Sequence, residues 1–350
     1  MIKIELFKCG SEESIVGAME KIDKNSRGIL YVVDNNDSLI GCLTDGDIRR
    51  WIIGGGSVNE QVNKVMNCSP IYVYEEYRQD GKQIMDDHFI QSIPIVDIRL
   101  HIIDILFSNY KNMRVFSDAL KHFPVVVMAG GKGTRLYPYT KIMPKPLIPV
   151  GDVTILERIF DSFYNYGVNR FYLTVNYRKE MIKAYFYEVE HPYDIFYIEE
   201  KEALGTAGSL RLIEEEFDKP VIITNCDILI EADYADIIRH HVDSENDLTI
   251  VSSLKKTIIP YGVLKTGKDG IIANMEEKPQ ISNFINTGMY IIKPEFIEWI
   301  PEGKPYHMTQ LIDKMINANK KVGMYPISEN AFLDMGELTE MKRMEERLRS

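Results

Sequence analysis

The sequence predicts an α/β protein: a mostly parallel, doubly wound sheet over residues 124–350, preceded by a smaller α+β module over residues 1–118, with 119–123 as a short junction. Three observations predict this. From residue 124, short apolar runs alternate with amphipathic segments, and buried strands separated by helices specify a parallel sheet covered on both faces. A glycine-rich turn follows the first of those runs, where open α/β sheets bind ligands. Within 1–118 a helix–strand–strand–helix pattern occurs twice at a spacing of roughly 60 residues, the mark of a tandem module.

A chain of 350 residues suits about two domains. With 41 basic and 52 acidic residues the net charge is −11, which disfavours nucleic acid or an anionic membrane as partner. The four cysteines, Cys9, Cys42, Cys68 and Cys226, form no CxxC pair; a structural zinc site and a disulfide scaffold are both disfavoured, and a reducing compartment is expected. The N-terminal residues lack the apolar stretch of a secretion signal, and no apolar run approaches the roughly 20 residues that span a bilayer. The expectation is a soluble cytoplasmic protein.

In the first repeat, Ile15, Ala18, Met19 and Ile22 mark a helix face, 28–34 and 39–43 read as strands around a turn at 35–37, and Thr44 opens a second helix. The second repeat places its parts at 79–88, 92–97 and 101–107. The pair resembles a tandem of CBS domains, on the segment Gly41-Cys-Leu-Thr44-Asp-Gly-Asp47. That resemblance implies that the Thr44 hydroxyl and the Asp47 carboxylate hold the phosphate and ribose of an adenine nucleotide; a helix cap is the alternative role for both. The matching positions in the second repeat are Phe107 and Tyr110, which leaves at most one intact site. The resemblance also implies a homo-oligomer, since such pairs pack against each other.

In the larger part the strands are read at 125–129, 170–175, 194–198, 221–225, 248–254 and 285–292, and the helices at 155–166, 180–188, 207–216, 233–242 and 308–318. The loop Ala129-Gly130-Gly131-Lys132-Gly133-Thr134-Arg135 follows the first strand. Its glycines let backbone N–H groups approach a phosphate chain, and Arg135 can grip phosphate with two parallel hydrogen bonds. It is neither a Walker A loop nor GxGxxG. Ten residues on, Lys145 stands between Pro144 and Pro146, so it loses little entropy on binding.

This loop and the Pro-Lys-Pro segment together resemble the signature of the sugar-phosphate nucleotidylyltransferases, which implies a Rossmann-like fold over 124–345. The resemblance implies a nucleoside triphosphate and a sugar 1-phosphate as substrates, with the 129–135 loop around the triphosphate, Arg135 on the leaving pyrophosphate and Lys145 on the reacting phosphates. It implies further that Asp227, in Thr224-Asn-Cys-Asp227, and Asp334, in Phe332-Leu-Asp334, converge on Mg²⁺. Gly205 and Gly208 belong to its base and sugar loop. Glu277 and Lys278 correspond to its sugar-hydroxyl and sugar-phosphate ligands, and Asn286 and Gly288 to its sugar-pocket segment. The CBS pair joined to a transferase is similar to bacterial glucosamine-1-phosphate guanylyltransferases of legionaminic acid pathways.

Glu200 stands where relatives read the base. An ionised carboxylate only accepts hydrogen bonds. Guanine offers it two adjacent donors, N1–H and N2–H₂, whereas uracil and thymine offer one N–H between two carbonyls. Glu200 therefore favours GTP, with Glu199 and Glu202 as alternative readers and uridylyl or thymidylyl transfer as the alternative activity. Glucosamine, mannose, heptose and glucose phosphates all remain as acceptors. A nucleotide-sensing regulator with an inactive transferase part is the competing reading. It predicts damaged phosphate or metal positions, yet Arg135, Lys145, Asp227, Lys278 and Asp334 are all present. His240 and His241, adjacent and without a ligand pattern, are read as solvated.

Overall fold

The structure is a computed structural model and describes residues 3–88, 90–108 and 117–349. The chain forms two compact units, Met1–Arg114 and Val115–Ser350.

The first unit runs β1 (Lys8–Gly10), α1 (Ile15–Asn25), β2 (Ile29–Val33), β3 (Leu39–Thr44), α2 (Asp45–Ile53), β4 (Val73–Tyr74), α3 (Gly81–Asp87), β5 (Ser92–Val96) and β6 (Ile102–Phe107). It repeats one topology twice: β1 lies parallel to β2 and β2 antiparallel to β3, as β4 lies parallel to β5 and β5 antiparallel to β6. Helix α1 buries Ile15, Ala18, Met19 and Ile22. Strands β1 and β4, of three and two residues, are too short to carry an alternation and escape sequence reading. The helix expected after residue 107 and the position Tyr110 lie outside the described residues.

The second unit runs β7 (Val125–Ala129), β8 (Pro149–Val150), β9 (Val153–Thr154), α4 (Ile155–Tyr164), β10 (Arg170–Val175), α5 (Lys179–Glu188), β11 (Asp194–Glu199), α6 (Gly205–Gly208), β12 (Val221–Asn225), β13 (Ile228–Ile230), α7 (Tyr234–Asp243), β14 (Leu248–Ile258), β15 (Gly262–Thr266), β16 (Ile272–Glu277), β17 (Gln280–Ile292), α8 (Met308–Asn317), β18 (Val322–Ile327), β19 (Phe332–Asp334) and α9 (Leu338–Arg349). Its main sheet has the order β11-β10-β7-β12-β17-β14-β18. Only β17 runs against its neighbours. Alternation along β7 sorts Val125, Val127 and Ala129 into one core and Val126 and Met128 into another, so both faces of the sheet are covered. Leu120, in the segment read as a junction, is fully buried in the first of those cores.

Strands β14 and β17 extend beyond the expected 248–254 and 285–292 because they pair with each other past the sheet, from Lys255 opposite Asn283 to Ile258 opposite Gln280. A ribbon of this kind needs no apolar pattern. Edge strand β18 was not read from sequence; it carries Pro326, tolerated at an edge. The helix expected over 207–216 is instead one turn, α6, followed by a 3₁₀ turn at Ser209–Leu212. Ile213 leaves it with extended backbone, and the run Glu214-Glu215-Glu216 gives no apolar face to continue a helix.

His241 corrects the solvated reading. Tyr234, Ile237, Ile238 and His241 form the buried face of α7, a helical spacing that was legible in the sequence. His241 is 1% exposed, and its Nδ1 lies 2.8 Å from the Thr249 hydroxyl. Burial, helped by the charge of Lys293, lowers its pKa from 6.5 to about 4. The fold therefore favours the neutral ring. That stability is complete above the unfolded value of 6.5 and is lost as pH falls toward about 4. Between about pH 7 and about pH 5 this amounts to about 2 kcal/mol. Urea unfolding of His241→Gln should lose that much less stability over this interval than the parent protein; equal losses would contradict the assignment.

Candidate active site

Parallel strands β11, β10, β7 and β12 end side by side, with Glu199 opposite Val175, Val175 opposite Ala129 and Asn225 opposite Met128. The loops that leave β11, β7 and β12, joined by Lys145, enclose a cavity of about 380 Å³ lined by Gly130, Gly131, Gly133, Thr134, Arg135, Lys145, Glu200, Gly205 and Asp227. Thr174, Asn225 and Cys226 also line it; Thr174 carries no motif and was not singled out from sequence. Ala129 ends β7 beneath the cavity and Lys132 is exposed beside it.

Gly133 is required where it stands. Its φ is +63°, and a Cβ there would lie 2.9 Å from Thr140 Cγ2 and 3.1 Å from Lys145 Cβ. The loop thus turns directly against the Pro-Lys-Pro segment, and the Thr140 hydroxyl donates to Gly133 O at 2.8 Å. Lys145 is 7% exposed, and its ammonium donates to the Asp227 carboxylate.

Asp227 and Asp334 are brought together by the backbone. Strand β13 pairs antiparallel with β19, setting Ile228 opposite Asp334, and Met335 N–H donates to Asp227 O at 2.8 Å. Burial raises the Asp334 pKa and the Asp227 charge raises it further, while Lys145 and Arg135 pull it down. Two acids and two cations share one electrostatic environment. Burial also pushes the Cys226 thiol up to about 12, so it is not a thiolate nucleophile.

Of Glu199, which ends β11, and Glu200 and Glu202, which follow it, only Glu200 lines the cavity. It is 5% exposed, and its Oε2 accepts from Leu204 N–H at 3.0 Å. A Cβ on Gly130 would lie 2.5 Å from its Oε1. Burial raises its pKa. Glu199 is exposed and paired with Lys179 and Lys183, which hold it at about 2; Glu202 is exposed.

The residues matched to the sugar side do not line this cavity. Gly208 packs in α6 against the backbone of Lys304 and Tyr306. Asn286 accepts from Gly288 N–H at 3.0 Å and donates to the Tyr290 hydroxyl at 2.8 Å. Gly288, at φ +93°, leaves room for the Asn225 amide, 2.4 Å from where its Cβ would stand, so this segment lies one layer behind the cavity wall. Glu277 and Lys278 are exposed, Glu277 closing β16 opposite Gly262.

In the first unit a cavity of about 520 Å³ is lined by Arg27, Tyr31, Thr44, Asp47, Gln91 and Ser92 among others. Thr44 and Asp47 cap α2 reciprocally, each side chain accepting from the other's backbone N–H, and Asp47 pairs with Arg50. The Arg27 guanidinium stacks on Phe107 at 4.6 Å.

A glycine-rich loop, a pinned lysine and two converging acids at the carboxyl end of a parallel sheet define an α/β protein with a charged cavity at that edge. The nucleotidyl transferase family model matches residues 124–350, and the chain belongs to that family. The CBS domain model matches residues 1–54. The chain is 31% identical over 221 residues to the mannose-1-phosphate guanyltransferase of Debaryomyces hansenii, covering 61% of this chain and 60% of that protein. It is 29% identical over 213 residues to the UTP–glucose-1-phosphate uridylyltransferase of Synechocystis, covering 55% of each. The chain thus spans about 60% or less of the length of these relatives. A solved Bacillus anthracis structure, 18% identical with a TM-score of 0.51, covers 65% of this chain and 96% of its own and shares the fold.

The contact between Gly130 and Glu200 gives a direct test. In Gly130→Ala the new methyl must displace the carboxylate. Overpacking of this kind costs about 1–3 kcal/mol, a drop of roughly 2–10 °C in melting temperature. Gly131→Ala, whose Cβ would meet nothing within 4 Å, should melt within about 1 °C of the parent; equal losses in both would show that Glu200 does not press on this loop.

Proposed function

We propose that the second unit transfers GMP from GTP to a sugar 1-phosphate, releasing pyrophosphate and forming a GDP-sugar. The observation that carries this reading is the buried Glu200 carboxylate facing the start of the phosphate loop, since two adjacent donors on guanine suit it and the carbonyls of uracil and thymine repel it. The guanyltransferase relatives support the same base. Ala129, Gly130, Gly131, Lys132, Gly133 and Thr134 wrap the triphosphate, and Gly205 backs the base.

The acceptor phosphate is largely a dianion near neutral pH. One of its oxygens attacks the α-phosphorus in line, the bond from the α-phosphorus to the bridging oxygen breaks, and the electron pair leaves on pyrophosphate. No protein nucleophile is needed. The protein positions two anions that repel each other and neutralises the leaving charge, with Arg135 and Lys145 as the catalytic cations.

Asp227 and Asp334 fit a divalent ion, because paired strands bring the two carboxyl residues together and both burial and the Asp227 charge raise the Asp334 pKa. Among the described residues no cluster of three or more His, Cys, Asp or Glu could hold a metal, so the remaining ligands would be phosphate and water oxygens, as Mg²⁺ prefers. When bound, Mg²⁺ supplies charge neutralisation to the phosphates.

On the sugar side we assign Gly208, Glu277, Lys278, Asn286 and Gly288. Glucosamine 1-phosphate is the favoured acceptor, on the joining of CBS repeats to a transferase; mannose 1-phosphate is the second reading, on the named relatives. Thr44 and Asp47 are assigned to an adenine nucleotide, and the chain to a soluble homo-oligomer of the cytoplasm. Among the described residues no helix is long and apolar enough to cross a membrane.

Pyrophosphate release should be measured with Mg²⁺, GTP, UTP, dTTP or ATP and glucosamine, mannose, heptose or glucose 1-phosphate. The expected result is turnover with GTP and glucosamine 1-phosphate, reduced about 10²–10³-fold in Lys145→Ala. No release with any pair would overturn the enzyme assignment, and faster turnover with UTP or dTTP would overturn the base assignment alone.

A further inference from the structure

Three strands send loops around the cavity, and the turn that leaves the fourth, β10, does something else. Asn176, Tyr177 and Arg178 are not among the residues that line the cavity. Each of them reaches a neighbouring loop. The Asn176 amide donates to Glu200 O at 3.0 Å. The Tyr177 hydroxyl donates to Thr140 O at 3.1 Å. The Arg178 guanidinium donates from Nη2 to Lys141 O at 2.6 Å and from Nε to the Tyr177 hydroxyl at 3.0 Å. Two successive carbonyls, those of Thr140 and Lys141, are thus held by two side chains from another strand's turn, and those side chains are bonded to each other.

Thr140 carries that hold to the cavity. It is fully buried, and its own hydroxyl donates to Gly133 O at 2.8 Å. Gly133, at φ +63°, turns the glycine-rich loop and has no room for a side chain against Thr140. A continuous line of hydrogen bonds therefore runs from Arg178 through Tyr177 and Thr140 to the loop that presents Gly130, Gly131, Thr134 and Arg135 to the cavity.

Arg178 is an unexpected residue for its position. Its backbone lies at φ +51° and ψ +35°, the left-handed region that glycine and asparagine adopt readily and a long side chain does not. It is exposed, and its side chain makes no cap hydrogen bond to α5. Glycine would enter the helix with less strain. Strain kept in such a turn directs attention to the side chain, and this side chain grips Lys141 O and orients the Tyr177 hydroxyl. The planar fork of arginine makes both bonds at once, which a lysine ammonium is not shaped to do.

We propose that Tyr177 and Arg178 position the glycine-rich loop for the triphosphate, acting through Thr140. This rests on the assignment of that loop to the triphosphate. Both are positioning residues, since they act on the loop and not on the nucleotide. Displacing a binding group by about 1 Å through a remote change can cost on the order of 10²-fold in rate.

The test is steady-state kinetics with Mg²⁺, GTP and glucosamine 1-phosphate, or mannose 1-phosphate if only that is turned over. It compares the parent with Tyr177→Phe, Arg178→Gly, Arg178→Ala, Thr140→Val and the combination of Tyr177→Phe with Thr140→Val, and a melting profile is recorded for each. Tyr177→Phe and Arg178→Gly should each lower kcat/KM for GTP by about three- to tenfold. KM for the sugar 1-phosphate at saturating GTP should stay within about twofold of the parent's. Arg178→Gly should melt at or above Arg178→Ala, because glycine accepts the left-handed turn, and should be no more active. The combined variant should lose little more than Thr140→Val alone, because both changes cut one line of hydrogen bonds. Should Thr140→Val fail to fold, Tyr177→Phe and Arg178→Gly still decide. A parent inactive with GTP would overturn the transfer reading and this proposal with it. With an active parent, Tyr177→Phe and Arg178→Gly variants that keep its kcat/KM for GTP would overturn the proposal alone. So would an Arg178→Gly variant that regains the activity lost in Arg178→Ala, a sugar KM that rises in step with the loss for GTP, or losses that multiply in the combined variant.

Discussion

The second unit depends on a strand pairing of three residues. Strand β19 lies antiparallel to β13, and the Met335 amide closes the ladder on the Asp227 carbonyl. Through that contact a residue near the end of the chain becomes the neighbour of one that follows the central strand β12. The cost is electrostatic: burial and the Asp227 charge both oppose ionisation of Asp334. Like charges brought together in a partly dry place need counter-charge. Lys145 supplies some, fixed by buried prolines on either side and bonded to Asp227. The rest is the capacity a divalent ion with phosphate oxygens would fill.

The sheet makes this arrangement possible. Because β11, β10, β7 and β12 are parallel neighbours, the loops that leave β11, β7 and β12 start from one edge at nearly the same height. The glycine-rich loop, the Glu200–Gly205 loop and the acidic turn therefore face one space without long excursions. Gly133 and Gly130 then set the spacing, one against Thr140 and Lys145, the other against Glu200. Each is a place where a side chain would occupy volume already taken by a charged or pinned group.

Much of this was legible in the sequence. The strands β7, β10 and β12 were read with their observed limits, because continuous runs of buried apolar residues bounded by turn residues have few other solutions. The glycine-rich loop and Lys145 were legible because glycine and proline mark backbone constraints directly. What escaped reading was set by tertiary context. Strands β1 and β4 are too short to show a period. The outer parts of β14 and β17 mix polar and apolar residues without a buried face and owe their form to each other. The α6 region is helical by composition, but its one α turn passes into a 3₁₀ turn that Ile213 leaves with extended backbone, and the acidic run after it offers no apolar face to continue a helix. Adjacent His240 and His241 suggest a solvated pair, yet the spacing of His241 from Ile237 and Ile238 places it on the buried face of α7. Tyr177 and Arg178 belong to no motif, and their hold on Thr140 and Lys141 exists only in three dimensions.

The central claim is that Asp227 and Asp334 act as one unit opposite the cationic loop. The most direct measurement is a double-mutant cycle on the rate of Mg²⁺-dependent pyrophosphate release, using Asp227→Asn, Asp334→Asn and the two together. Residues that serve as a unit are strongly non-additive. The account predicts that each single change costs nearly as much as both, to within about threefold. Losses that multiply, or an Asp334→Asn variant as active as the parent, would contradict it.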